Sequence, residues 1–236
     1  MSLQTRTVDY AVGGTQLTGY FATSDLLASP RPAVLVVHGG AGLDEHARGR
    51  ARWLAELGYV AFACDMYGRG VAGSRERVMA RIQMLRDNPE AICALARSAI
   101  EILSAHPQSN GRIAAVGYCF GGMCVLEMAR SGMNLAGAVS VHGNLETHRG
   151  AAPRMQDVRI LVCHGALDPH IPMTQVNAFV EEMNRANAQW ELQIFGGAMH
   201  GFTHETGPFS PGVAYSPHAD RRSRVAIREF LAGIFT

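Results

Sequence analysis

The strongest constraint on how this chain folds is an alternation of two periodicities. Six short apolar runs, at Val34 to His38, Val60 to Cys64, Arg112 to Tyr118, Ala136 to His142, Arg159 to His164 and Glu191 to Phe195, are separated by longer patterned segments. Those segments, near Glu45 to Leu57, Glu90 to His106, Phe120 to Ser131, Thr174 to Asn187 and His218 to Ile234, repeat their apolar residues at helical spacing. Near-continuous apolar runs too short for helices mark strands covered on both faces, and strands that alternate with helices join by parallel crossovers. The pattern predicts an α/β chain with a doubly wound, mostly parallel sheet and helices on both faces. Thr7 to Tyr10 and Gln16 to Ala22, separated by Val12-Gly13-Gly14-Thr15, read as an antiparallel hairpin that opens the sheet.

With 236 residues, 47% of them apolar and 17% charged, the chain is expected to be a single domain over residues 1–236. No repeat or linker divides it. Tyr67 to Pro89 is a long insertion that begins with Gly68-Arg69-Gly70, and we expect it to carry one helix and to form a cap or pocket wall. A net charge of +1, with arginines scattered among acids, argues against a nucleic-acid partner. The opening MSLQTRTVDYAVGG has no signal pattern and no apolar run approaches the ~18 residues of a membrane span, so the expectation is a cytoplasmic protein without a membrane partner. The five cysteines (Cys64, Cys93, Cys119, Cys124, Cys163) form no C-x-x-C pair, which argues against disulfides and zinc. Asp44-Glu45-His46 reads as an acid-stabilised helix start and not as a metal site.

One junction stands apart. In Arg112 to Ala129, RIAAVGYCFGGMCVLEMA, the strand run passes directly into a helix, with Cys119 at the turn. Gly117 and Gly121 flank it as G-x-C-x-G, whose missing side chains permit a sharp strand-to-helix turn that lifts the sulfur out of the sheet. The same turn aims the first amides of the helix, that of Phe120 included, at an oxyanion formed by attack on a carbonyl, and the helix dipole favours the thiolate. In such a sheet chemistry collects at the carboxyl ends of the strands. Past the later strands lie His164-Gly165-Ala166-Leu167-Asp168-Pro169 and Gly196-Gly197-Ala198-Met199-His200-Gly201-Phe202. The order Cys119, Asp168, His200 is that of an α/β-hydrolase, with the imidazole as proton shuttle and the carboxylate fixing its tautomer. His38-Gly39-Gly40-Ala41-Gly42, after an earlier strand, is a glycine-rich bend suited to complete an oxyanion hole through the Gly40 amide; one such donor is worth ~3 kcal/mol of barrier.

These blocks, GYCFGG, GALDP and GAMHGF with SNGRIA upstream of the first, resemble the dienelactone hydrolase family over nearly the whole chain. The resemblance implies an α/β-hydrolase fold and hydrolysis of a small-molecule ester or lactone through an acyl-cysteine, of the carboxymethylenebutenolidase type, with no cofactor. In the chlorocatechol-pathway members a glutamate follows the histidine of the oxyanion bend and takes the thiol proton; Gly39 occupies that position here, so cysteine activation works differently. Those members bind a substrate carboxylate with two arginines. The matching positions are His204, four residues after His200, and Arg77, within the Tyr67 to Pro89 insertion.

Other roles stay open on the residues alone. Tyr118, Phe120 and Phe202 either pack the core or line an apolar acyl pocket. Cys64, Cys93, Cys124 and Cys163 fit packing, His142 and His164 fit strand-end histidines satisfied by backbone, His38 fits a shaper of the oxyanion bend, and His170 is the rival of His200. Asp168 also suits a turn cap before Ile171-Pro172. The site is compatible with a thioesterase, an acyltransferase or an oxidation sensor, and with an idle scaffold that binds a small molecule or a protein. The stretch Thr203 to His218 reads equally as a lid near His200 or as a subunit contact, and a homodimer stays open.

Overall fold

A computed structural model describes residues 2–25, 30–149, 155–207 and 209–236. Its eight strands belong to a mostly parallel sheet, and six α-helices lie among the described residues. The chain divides into two compact units, residues 1–116 and 117–236.

In the first unit β1 (Leu3–Val12) and β2 (Thr15–Ser24) form an antiparallel hairpin in register from Leu3 opposite Ser24 to Val12 opposite Thr15. Gly13 and Gly14 both take positive φ, 53° and 81°, which a two-residue hairpin turn requires. β1 is longer than its apolar pattern because it is an edge strand: Gln4, Thr5 and Arg6 are exposed and held by backbone pairing, so they carry no hydrophobic signal. β2 pairs antiparallel with β4 (Val60–Cys64), and β4 pairs parallel with β3 (Arg31–Val37), giving the order β1-β2-β4-β3. Every residue of β4 is buried, so both faces of the strand are covered; α1 (Glu45–Glu56) and α3 (Pro89–Ser104) both pack on β3 and β4. Asp44 caps α1 by accepting the Ala47 N–H at 3.0 Å, in keeping with the helix-start reading of this acidic stretch. The insertion carries α2 (Arg75–Asp87), capped by Ser74 and buried mainly through Leu85.

β5 (Ser109–Tyr118) runs across the boundary into the second unit, where α4 (Phe120–Arg130) follows at once. β6 (Gly137–Val141), β7 (Arg159–Gly165) and β8 (Gln189–Phe195) are parallel neighbours, with Val141 beside Cys163 and Gly165 beside Phe195. Their carboxyl ends therefore open at one edge. α4 packs on β6, and α6 (Pro217–Ile234) packs on β6 and β7 so closely that a side chain at Gly137 would meet Ile234 and Phe230 within 3 Å. α5 (Met173–Arg185) connects β7 to β8. No helix among the described residues is long and apolar enough to cross a membrane.

Candidate active site

The turn from β5 to α4 explains its own sequence. Cys119 takes φ 53° and ψ −115°, a backbone conformation that costs a non-glycine residue ~1–3 kcal/mol. A Cβ at Gly117 would lie 2.0 Å from the Gly121 carbonyl oxygen, and one at Gly122 would meet Gly143 and Ser140, so glycine is required wherever the turn folds back on itself. The half-buried Cys119 donates its backbone N–H to the Val141 carbonyl at 2.9 Å and to Nδ1 of His142 at 3.1 Å.

Two loops of the same unit bring the acid and the histidine to the sulfur. His200 Nε2 lies 3.1 Å from Cys119 Sγ, and Nδ1 lies 2.8 Å from Asp168 Oδ2. The buried Asp168 accepts the N–H groups of His170 and Ile171 on Oδ1, at 2.9 and 3.1 Å, so its turn-capping and histidine-orienting contacts coexist, one on each oxygen. Burial alone would depress the His200 pKa. The hydrogen bond that Nδ1 donates to Asp168, together with the hydrogen bond to Cys119 and its charge, outweighs burial and raises it to about 10. These contacts favour the protonated imidazole.

His200 is also clamped through its backbone. Its N–H donates to the Gly212 carbonyl, and its carbonyl accepts the Ala214 N–H, while Ser216 bonds back to Phe202. Gly212 has φ +81°, and a Cβ there would sit 2.3 Å from Pro169. The stretch after the histidine thus returns to hold it, a contact that the sequence reading did not foresee.

The remaining candidates separate cleanly. Tyr118 and Phe202 are fully buried, and the Phe202 ring packs against Phe195 and His142 at 5.5 and 5.0 Å, the packing alternative of the two readings. Phe120 is buried at the head of α4. His204 is buried with its ring 5.6 Å from that of His142. His170 stands edge-on to His200 at 5.3 Å and contributes its amide to Asp168. Burial holds the His164 pKa below the usual imidazole range, against the pull of the Asp168 charge. Burial likewise raises the thiol of Cys163 to about 12 and raises that of Cys64, which fits packing roles for both. His142 is the residue that sequence reasoning undervalued: it ends a strand, as several histidines do, and nothing in the sequence shows its ring turning to the Cys119 amide.

In the first unit the glycine-rich bend is held from beneath. His38 Nδ1 lies 2.7 Å from the Gly39 carbonyl, and Nε2 accepts the Met66 N–H at 3.0 Å, two contacts that select the neutral tautomer protonated on Nδ1. Tyr67 directs its hydroxyl to the carbonyls of Gly39 and Gly40, at 3.4 and 3.3 Å. Gly40 has open space around its Cβ position. Arg77 lies on the exposed face of α2, whereas Arg81, one turn on, reaches inward and donates to the Met66 carbonyl. Among the described residues no group of three or more His, Cys, Asp or Glu is arranged to hold a metal ion.

The family model for dienelactone hydrolases matches residues 17–235. The chain belongs to the dienelactone hydrolase family. Carboxymethylenebutenolidase of Pseudomonas putida is 26% identical over 182 residues, which cover 74% of this chain and 76% of that protein. A crystal structure described as a dienelactone hydrolase-like promiscuous phosphotriesterase from metagenomic libraries is 35% identical over all of both chains, with a TM-score of 0.93. A solved structure named m3DLH is 36% identical over 99% of both chains, with a TM-score of 0.92. This dienelactone hydrolase family member is accordingly an ester hydrolase of the α/β-hydrolase superfamily.

Proposed function

We propose that the chain cleaves a carboxylic ester or lactone through an acyl-cysteine intermediate formed on Cys119. The observation that carries this reading is the continuous chain of contacts from Cys119 Sγ through His200 to Asp168, 3.1 and 2.8 Å long. The thiolate attacks the carbonyl carbon, and the oxygen of the tetrahedral adduct takes its hydrogen bond from the Phe120 amide at the head of α4. His200 then gives its Nε2 proton to the departing alkoxide, which stays tethered when the substrate is a lactone. Water, deprotonated by His200, attacks the thioester and releases the acid.

The raised pKa of His200 supplies an answer to the glycine at position 39. Where no carboxylate stands ready to take the thiol proton, the imidazole keeps it, and Asp168 makes that favourable. The 35% identical phosphotriesterase supports a second substrate class, since the same thiolate can attack a phosphotriester at phosphorus.

Exposure to p-nitrophenyl acetate is expected to leave one acetyl group on Cys119 by mass spectrometry, and Cys119→Ala to lose at least 100-fold in turnover. Full esterase activity in Cys119→Ala would refute the assignment. Neither adduct nor turnover in the unmodified protein would point to the binding scaffold instead.

A further inference from the structure

We propose that His142 is a positioning residue for the reaction, holding the nucleophile's turn and the histidine's loop at a set separation; the inference rests on the acyl-cysteine reading above. Its ring makes a polar contact at each nitrogen. Nδ1 accepts the backbone N–H of Cys119 at 3.1 Å, and Nε2 lies 2.9 Å from Thr203 Oγ1. The first contact requires Nδ1 to be unprotonated, so Nε2 carries the proton and donates it to the threonine. Thr203 is three residues beyond His200, and the His142 ring stands edge-on to the His200 ring at 5.4 Å. One fully buried imidazole therefore joins the peptide that presents the sulfur to the loop that presents the base.

The anchor is itself fixed. The His142 N–H donates to the Cys163 carbonyl at 2.8 Å, which ties it to β7, and its φ of 41° is a left-handed conformation that few residues other than glycine adopt. Cys119 already has the Val141 carbonyl as an acceptor for the same N–H, so the imidazole is not needed to satisfy a buried donor. What it adds is direction: a second acceptor that resists rotation of the strained Cys119 peptide. Misplacement of reacting groups by about 1 Å costs on the order of 10²-fold in rate, so a strut between the two groups acts on kcat more than on KM.

Two substitutions separate this role from packing. His142→Phe keeps the ring volume against Phe202 and His204 but removes both polar contacts. His142→Asn places an amide oxygen near the position of Nδ1 and suits the left-handed backbone, while giving up ring packing. With p-nitrophenyl acetate, His142→Phe is expected to lose about tenfold in kcat with KM little changed, and His142→Asn to recover most of that loss. A purely packing role predicts the reverse order. His142→Phe within twofold of the unmodified kcat, or His142→Asn no faster than His142→Phe, overturns the proposal. If neither variant folds, Thr203→Val decides: a fall in kcat at constant KM supports the strut, and an unchanged kcat overturns it. Acetylation of Cys119 in the unmodified protein is recorded alongside. Its absence overturns the acyl-cysteine reading and this inference together, whereas its presence with unaffected variants overturns this inference alone.

Discussion

At Cys119 the backbone conformation and the chemistry have a single origin. A residue at φ 53° is strained, yet the same torsion projects Sγ toward His200 and leaves the first turn of α4 beside it. Gly117 was readable as part of the signature of that turn because nothing larger fits where it meets the Gly121 carbonyl; Gly122, where a Cβ would meet Ser140 and Gly143, lies just past the five-residue pattern. His200 yields a prediction with a defined sign. Its folded pKa of about 10 lies above the ordinary imidazole value, so its charged form stabilises the fold fully below about pH 6.5, and that contribution is lost as pH rises through 10. The difference in thermal midpoint between the unmodified protein and His200→Gln is therefore expected to be largest near pH 6 and to shrink toward pH 10.5. A difference independent of pH would show that the imidazole is not held charged. The ring of His142 and the hydroxyl of Tyr67 escaped the sequence because each contact is made by a residue 23 or 27 positions from its partner. Their geometry depends on how the strand ends line up, which composition does not encode.

Between elements, Arg130 centres a buried polar network in the second unit. The guanidinium is fully buried at the end of α4 and forms a paired contact with Glu182 of α5, at 2.8 and 2.7 Å. It also donates to Glu127 at 3.1 Å and to the Leu145 carbonyl at 2.8 Å. Removing one partner of a buried pair leaves the other charge uncompensated. Arg130→Ala is expected to destabilise the protein by about 3–5 kcal/mol in urea unfolding, and Arg130→Lys to recover little, because an ammonium cannot match the planar two-point contact. A loss under about 1 kcal/mol would mean that the network is energetically neutral. Five of the six helices were legible from periodicity, with observed ends within two residues of the patterns, whereas α2 was expected within the insertion without bounds. The pairing of α4 with α5 was not, since a buried arginine in a helix pattern looks like a surface one.

For the molecule as a whole, the alternation of strand and helix patterns was enough to indicate a doubly wound, mostly parallel α/β sheet, and the order Cys119, Asp168, His200 was enough to nominate a hydrolase site whose members do meet within 3.1 Å. Cys64, Cys93, Cys124 and Cys163 are buried, and Cys119 alone of the five is partly accessible. Native labelling with a small haloacetamide is expected to modify Cys119 first and to reach the others only on unfolding, with a reducing agent leaving the thermal midpoint unchanged. Rapid modification of a second cysteine under native conditions would contradict this burial pattern. What stayed illegible was the stretch after His200, whose polar, glycine-rich composition suits a loop of any shape. Its return to His200 through Gly212 and Ala214 has a consequence for altering the enzyme. The exposed residues Glu205 and Thr206 take part in neither of the two bonds that fix the histidine, so side chains can be exchanged there while the imidazole keeps its place. A change of length between Ser210 and Ala214 shifts the register of those bonds and displaces the base. Evolution and design can thus vary the border of the site independently of its chemistry.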